Sequence, residues 1–469
     1  MELPGMSDDI ALMSATELVA AYRARRLSPV EATRAAYDRI RALDGQVNAF
    51  CFLDEEGAIA QARASEARWL AGRPQGLVDG VPTTVKDILL VEGWPTLRGS
   101  TLVDRNQPWT EDAPSVARLK EHGAVLLGKT TTPEFGWKGV TDSALTGITR
   151  NPWNLERTPG GSSGGAAVAA ALGMGALHIG TDGGGSIRIP AAFTGIYGIK
   201  ASYGRVPAYP PSPFSPVAHV GPMTRTVADA ALMLNVLAEP DPRDANGLPP
   251  AGRDWRLGLD GGVARWRIAY AETLNGEPVE PEVASRVADA VRQLEALGAE
   301  VEPITLTMPD VGDVFAKHWL TGAAALLAQF STDQRSRIDP GLQAYAEIGA
   351  RYSVIELLNA GKAREGFATQ INLLFERYDL LVMPSLPITA FGAGLNAPDS
   401  GPYAGWTGWT PFTYPFNLTR HPAASLPVGF ADGLPAALQL IGPAYREDKV
   451  LQASRALEAA LPIALPRLR

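Results

Sequence analysis

GTDGGGSIRIPAAFTGIYGIK, residues 180–200, holds three consecutive glycines directly before Ser186, with Asp182 and Arg188 on either side. Three adjacent glycines are costly to order, and a turn that only needed a positive φ would manage with one. A run of bare N–H groups ending in a hydroxyl reads as an oxyanion-binding turn carrying a nucleophile. In this reading Ser186 attacks, and the N–H groups of Gly183, Gly184 and Gly185 receive the oxyanion, each such donor being worth about 3 kcal/mol of barrier. Asp182 and Arg188 are placed to pair and brace the turn; an ordinary surface ion pair, worth ~0–1 kcal/mol, is the alternative. G-x-S-x-G is absent around Ser186, which argues against the nucleophile elbow of α/β-hydrolases.

Outward from this turn the chain alternates strand and helix. ALHIGTD (176–182) reads as a short strand leading into it, and TPGGSSGGAAVAAALGMG (158–175) as a Gly/Ser loop feeding an alanine-rich helix. GLVDGVPTTVKDILL contains a buried strand ending near Lys86; Ala113–His122 reads as a helix and AVLLGK as a second strand. Further on, WRIAYAE and LLVMPS are strands flanking the amphipathic helix PEVASRVADAVRQLEALG, and 310–377 is helical. At the N-terminus, Ser14 with Glu17 and Ser28-Pro29-Val30-Glu31 are helix-start signals, and a third helix spans about Asp54 to Leu70. The pattern predicts an α/β fold: one large domain with a central mixed, mostly parallel twisted sheet flanked by helices. Residues 1–75 form a helical segment packed on it, 76–469 the main domain, and 80–210 its chemical core.

The bulk numbers restrict the function. The 469 residues carry a formal charge of -8 with no basic stretch, so nucleic acid is not expected as a partner. No charge-free apolar run reaches transmembrane length, and MELPGMSDDI lacks the features of a secretory signal. Cys51 is the only cysteine, which excludes an internal disulfide and suits the cytoplasm. The five histidines show no metal-ligand spacing, so neither a metal nor a cofactor is expected. PGGSSGG (159–165) lacks the lysine of a phosphate-binding Walker loop.

Ser186 needs a proton acceptor. His178 sits mid-strand among apolar residues and reads as a packed core histidine. Only eight of the 42 basic residues are Lys, which points to positions where a deprotonatable amine matters, because a guanidinium stays charged. Lys86, Lys129 and Lys200 each follow an apolar run, and any of them could be a desolvated amine. Residue chemistry alone leaves the three open.

VKD (85–87), GGSSGG (160–165) and GTDGGGSIRIPAAFTGIYGIK together resemble the amidase signature family, with Ser162 and Ser186 at that family's separation of 24 residues. GKTTTPEF (128–135), NPWN (151–154) and FNLTRHPAASLPVGF…GLPAALQLIG (416–442) extend the resemblance along nearly the whole chain. It implies that Ser186 is the nucleophile, Ser162 a bridging serine on a cis peptide bond, and Lys86 the base. It also implies an oxyanion hole near Gly183–Ser186, with Ser163, Thr181, Asp182 and Arg188 as supporting residues. The family often has Thr or Ile where this chain has Gly183. The implied activity is hydrolysis of amide C–N bonds through an acyl-enzyme. The expected substrate is a small hydrophobic or aromatic amide, with carbamates and esters as related substrates, acted on by a monomer or homodimer. Two alternatives are the catalytic subunit of a tRNA-dependent amidotransferase and a binding protein without turnover. The aromatic-rich loop 391–416 suggests Trp406 and Trp409 as pocket walls, the alternative being core packing.

Overall fold

The computed structural model describes residues 6–468. Thirteen strands occur among them: β1 Phe50–Leu53, β2 Pro82–Lys86, β3 Val125–Thr130, β4 Asp142–Ser143, β5 Gly147–Ile148, β6 Leu177–Asp182, β7 Tyr197–Lys200, β8 His219–Thr224, β9 Arg267–Tyr270, β10 Glu300–Pro303, β11 Leu380–Pro384, β12 Ala423–Ala431 and β13 Leu434–Ile441. All but the small β4–β5 ladder join one sheet, in the order β1-β3-β2-β6-β8-β7-β12-β13-β11-β9-β10. The chain is an α/β domain built on this large mixed sheet with helices on its faces.

The parallel pairings predicted from the strand–helix alternation sit in two places. One is the group β3-β2-β6 and the other β11-β9-β10. The middle of the sheet is antiparallel, from β6 through β8, β7, β12 and β13 to β11, and so is the edge pair β1–β3. The expectation of a mostly parallel sheet therefore holds for the two flanks and is corrected for the centre. The central strands are connected partly by short links that need no crossover helix, as in the hairpin β12–β13.

Local signals explain the helix boundaries. Ser14 and Glu17 cap the helix Ala15–Arg23 reciprocally, as Ser28 and Glu31 cap Pro29–Val47 with Pro29 at its first turn. Asp54 caps Glu55–Leu70. The segment 1–75 also supplies β1, the edge strand beside β3. The alanine-rich helix Gly164–Ala171 is buried along its whole length. Small side chains let it lie close to the sheet, where β2, β6 and the following turn bring residues 86, 162 and 186 together.

Candidate active site

Lys86 ends β2, a strand buried at all five positions. Its side chain has no solvent exposure. Three hydroxyl oxygens surround Nζ: Ser162 Oγ at 2.7 Å, Thr181 Oγ1 at 2.8 Å and Ser163 Oγ at 2.9 Å. No carboxylate among the described residues pairs with it. Burial pushes the amine well below the usual lysine range, and the more distant charge of Asp182 opposes this only in part. The Ser163 hydroxyl donates to the Thr181 carbonyl at 3.1 Å and so meets the amine as an acceptor. Ser162 follows Gly161 through a cis peptide bond.

The other two lysines are engaged differently. Lys129 Nζ lies 3.3 Å from the Asp87 carboxylate and also bonds Thr96. Lys200 donates to the His421 carbonyl at 2.5 Å. Neither touches the serines. His178 bonds Thr84 Oγ1 at 2.8 Å inside the core, and burial holds it at about 3, the packed histidine expected from its strand.

The glycine turn is shaped by a buried ion pair. Arg188 Nε and Nη2 donate to both Asp182 oxygens at 2.9 Å, and neither side chain reaches solvent, so the surface-pair alternative does not apply. The guanidinium also donates to Thr413 O, Gln439 Oε1 and Asn417 Oδ1 at 2.6–2.8 Å. Burial opposes the charge on Asp182, but Arg188 outweighs it and holds the carboxyl below its ordinary range. Asp182 accepts the N–H of Gly185 at 2.8 Å and that of Ile187 at 3.3 Å. This corrects one expected donor: the Gly185 N–H is already used. Gly183, Gly184 and Ser186 keep N–H groups without an intramolecular partner among the described residues.

The structure gives each glycine its own reason. Of the three, only Gly185 has a positive φ, +127°. A Cβ at Gly183 would sit 2.6 Å from the Trp319 ring, and one at Gly184 would sit 2.8 Å from the Phe315 ring. Those two glycines let an aromatic wall lie directly on the turn.

Ser186 and Ser162 open onto the same cavity of about 140 Å3. Ser186 is 6% exposed, and its hydroxyl makes no hydrogen bond among the described residues, so the link from Ser162 to Ser186 is open here. Catalytic contacts often close only around bound substrate. The cavity walls include Phe135, Tyr209, Phe214, Trp319 and Leu326, with Arg98 as the permanently charged lining residue. Trp406 and Trp409 do not line it. Trp409 is fully buried, stacked on Phe193 at 5.8 Å; Trp406 lies behind Phe315 and Trp319 at 5.8 and 6.1 Å. The aromatic pocket thus exists, but other residues form it. His219, neutralised by burial, also lines the cavity with Nδ1 on the Val217 carbonyl at 2.8 Å. Among the described residues no group of His, Cys, Asp or Glu side chains is arranged to hold a metal ion.

Comparison with known proteins agrees with this geometry at the level of family. The Amidase family model matches residues 31–451. A glutamyl-tRNA(Gln) amidotransferase subunit from Salinispora arenicola is 36% identical over 98% of this chain and 100% of its own length. Its counterpart from Moorella thermoacetica is 37% identical over 96% and 97%. Among solved structures, a bacterial aryl acylamidase superposes with a TM-score of 0.91 at 34% identity, covering 97% of each chain. The corresponding amidotransferase subunit from Thermotoga maritima gives 0.83 at 28%, over 98% of this chain and 99% of its own. The chain belongs to the amidase signature family and is an amide C–N hydrolase.

Proposed function

We propose that this protein cleaves small apolar amides through an acyl-enzyme on Ser186. The observation that carries the reading is the buried Lys86 amine, paired with no carboxylate among the described residues and 2.7 Å from Ser162, which lines a cavity with largely apolar walls. A neutral amine has a lone pair to accept the Ser162 proton, and Ser162 in turn accepts the proton of Ser186 as Ser186 Oγ attacks the carbonyl carbon. The carbonyl oxygen becomes an oxyanion facing the unpartnered N–H groups of Gly183, Gly184 and Ser186. As the tetrahedral intermediate collapses, the relay returns the proton to the departing nitrogen, because an amide anion leaves very poorly. Water then repeats the sequence on the acyl-enzyme. Carbamates and esters pass through the same tetrahedral step. Ser163 and Thr181 orient the amine; Asp182 and Arg188 hold the turn.

The second reading is release of ammonia from glutamine as the catalytic subunit of a tRNA-dependent amidotransferase. The names of the relatives from Salinispora and Moorella favour it over the apolar-amide reading, and Arg98 offers a partner for an α-carboxylate. Against it stands the lining, which among the described residues offers no acidic side chain to an α-ammonium group. Hydrolysis by the purified chain alone separates the two. The apolar reading expects anilides to exceed glutamine in kcat/KM by at least ~10-fold, as apolar pockets discriminate. Turnover of glutamine without anilides overturns it. A fluorophosphonate probe tests for a nucleophile at all: wild type labels and Ser186→Ala does not, whereas no labelling of wild type would favour a binding protein.

A further inference from the structure

A second cleft, of about 290 Å3, opens where residues 419–421 and the helix Val354–Leu374 meet the loops of Tyr203, Asn246 and Tyr445. No carboxylate among the described residues lines it. Arg420 forms part of the wall with its guanidinium 4.2 Å over the Tyr203 ring. Its backbone is held at φ +66°, a conformation costly for an arginine. Thr419 lines the cleft, is 4% exposed, and has no partner for its hydroxyl. Arg364 does not line the cleft itself; it stands one turn before Ala368 and two before Asn372, both lining residues. Arg364 Nη1 approaches the Leu418 carbonyl at 3.5 Å.

The Nε atoms of Arg364 and Arg420 are both buried without a hydrogen-bond partner. The one ion pair at the site, among the described residues, is Arg364 with Glu365 at 3.8 Å, and Glu365 is three-quarters exposed. Burial, and then the charge of Arg420, hold Arg364 below its ordinary value; both arginines also depress His318. Two mutually repelling cations with unpaired donors and an unpaired hydroxyl beside them carry a cost that an anion would remove. Planar guanidinium groups match phosphate oxygens in geometry as well as charge.

We propose that this cleft binds a small phosphate-class oxyanion, held by Arg420 in its wall with the Thr419 hydroxyl as a second donor, while Arg364, one helical turn from the lining, adds its charge. The site adjoins the catalytic frame without reaching the reacting atoms. Arg420 follows shortly after Asn417, whose amide holds Asp182, and Tyr203 packs edge-on against His219 at 5.4 Å.

Isothermal titration with inorganic phosphate, at ionic strength held constant with chloride, tests the assignment. Wild type should show saturable binding, weakened at least ~10-fold in Arg364→Gln and in Arg420→Gln and unchanged in Arg73→Gln, a control at an exposed position. Should Arg420→Gln fail to fold by circular dichroism, Arg364→Gln and Thr419→Val carry the test. A parallel titration with glycerol 3-phosphate identifies the source: tighter binding assigns a phosphate ester, equal or weaker binding the free ion. Absence of saturable binding in wild type, or unchanged affinity in the arginine variants, overturns the proposal.

Discussion

Lys86 and Lys129 lie on adjacent parallel strands, with Val85 in register with Lys129, and both side chains are withdrawn from solvent. Burial lowers both amines. The difference is in what each faces. Lys129 has Asp87, itself pushed up by burial and held by the N–H groups of Leu97 and Gly99. Among the described residues Lys86 has hydroxyl partners and no carboxylate, because Asp182, whose charge it feels, is bound by Arg188. Depth is common to both; what sets Lys86 apart is the missing counter-ion. One strand end holds a buried ion pair, and its neighbour holds the hydroxyl-ringed amine that we propose as the proton acceptor.

The comparison breaks most visibly under substitution. Ser186→Ala should reduce kcat/KM by about 10^4-fold or more with little change in Tm, and Lys86→Met by about 10^3-fold with no loss of Tm, because Met removes the cost of burying an amine. Lys129→Met should do the reverse: it leaves Asp87 buried and unpaired, at ~3–5 kcal/mol of stability, while any folded enzyme keeps most of its activity. Kinetics and denaturation on the same three variants check this, and equal losses of activity in the two lysine variants would erase the distinction.

A pH series sharpens it. The base must be unprotonated, so kcat/KM should fall as pH drops through the lowered pKa of Lys86, on an acidic limb well below the ordinary lysine value of 10.5. Stability follows the same proton. Between the lowered folded pKa and the unfolded value, the unfolded chain holds the proton that the folded chain lacks, so stability rises with pH by up to ~1.4 kcal/mol per unit. Chemical denaturation of wild type against Lys86→Met isolates that slope; identical pH dependence would mean that Lys86 is charged in the folded protein.

Smaller effects are expected at the aromatic wall. Gly183→Ala keeps the N–H but drives a methyl into Trp319, so KM for aryl amides should rise about 10-fold, the scale of a strained packing contact. Trp409→Ala should cost ~3–5 kcal/mol of stability and leave KM within about 2-fold. Trp406→Ala should likewise leave KM nearly unchanged, measured on the same anilides.

Much of this was legible in local pattern. The capping boxes at Ser14 and Ser28 and the strand ending at Lys86 are short-range signals, and the structure returns them at nearly the residues read. Asp182 and Arg188 are six residues apart, within reach of one turn. The loss of the Gly185 N–H had a local signal too, an Asp three residues before a glycine, whose side chain folds back on the backbone. What stayed hidden was long-range. The cavity wall comes from Phe135, from the proline-rich stretch around Tyr209 and Phe214, and from Trp319. Aromatic residues announce burial but not the cavity they border, so Trp406 and Trp409 were as plausible as these. Thr413, Asn417 and Gln439 meet Arg188 across 225 to 251 residues, a pairing no periodicity encodes.

That last pairing has a consequence for biosynthesis. The guanidinium that steadies the Ser186 turn receives three of its partners from segments made 225 to 251 residues after it. A nascent polypeptide still lacking Gln439 holds all three serines and Lys86 yet cannot complete the frame around them, so hydrolytic competence should arrive only once Gln439 has been made and has folded back onto Arg188.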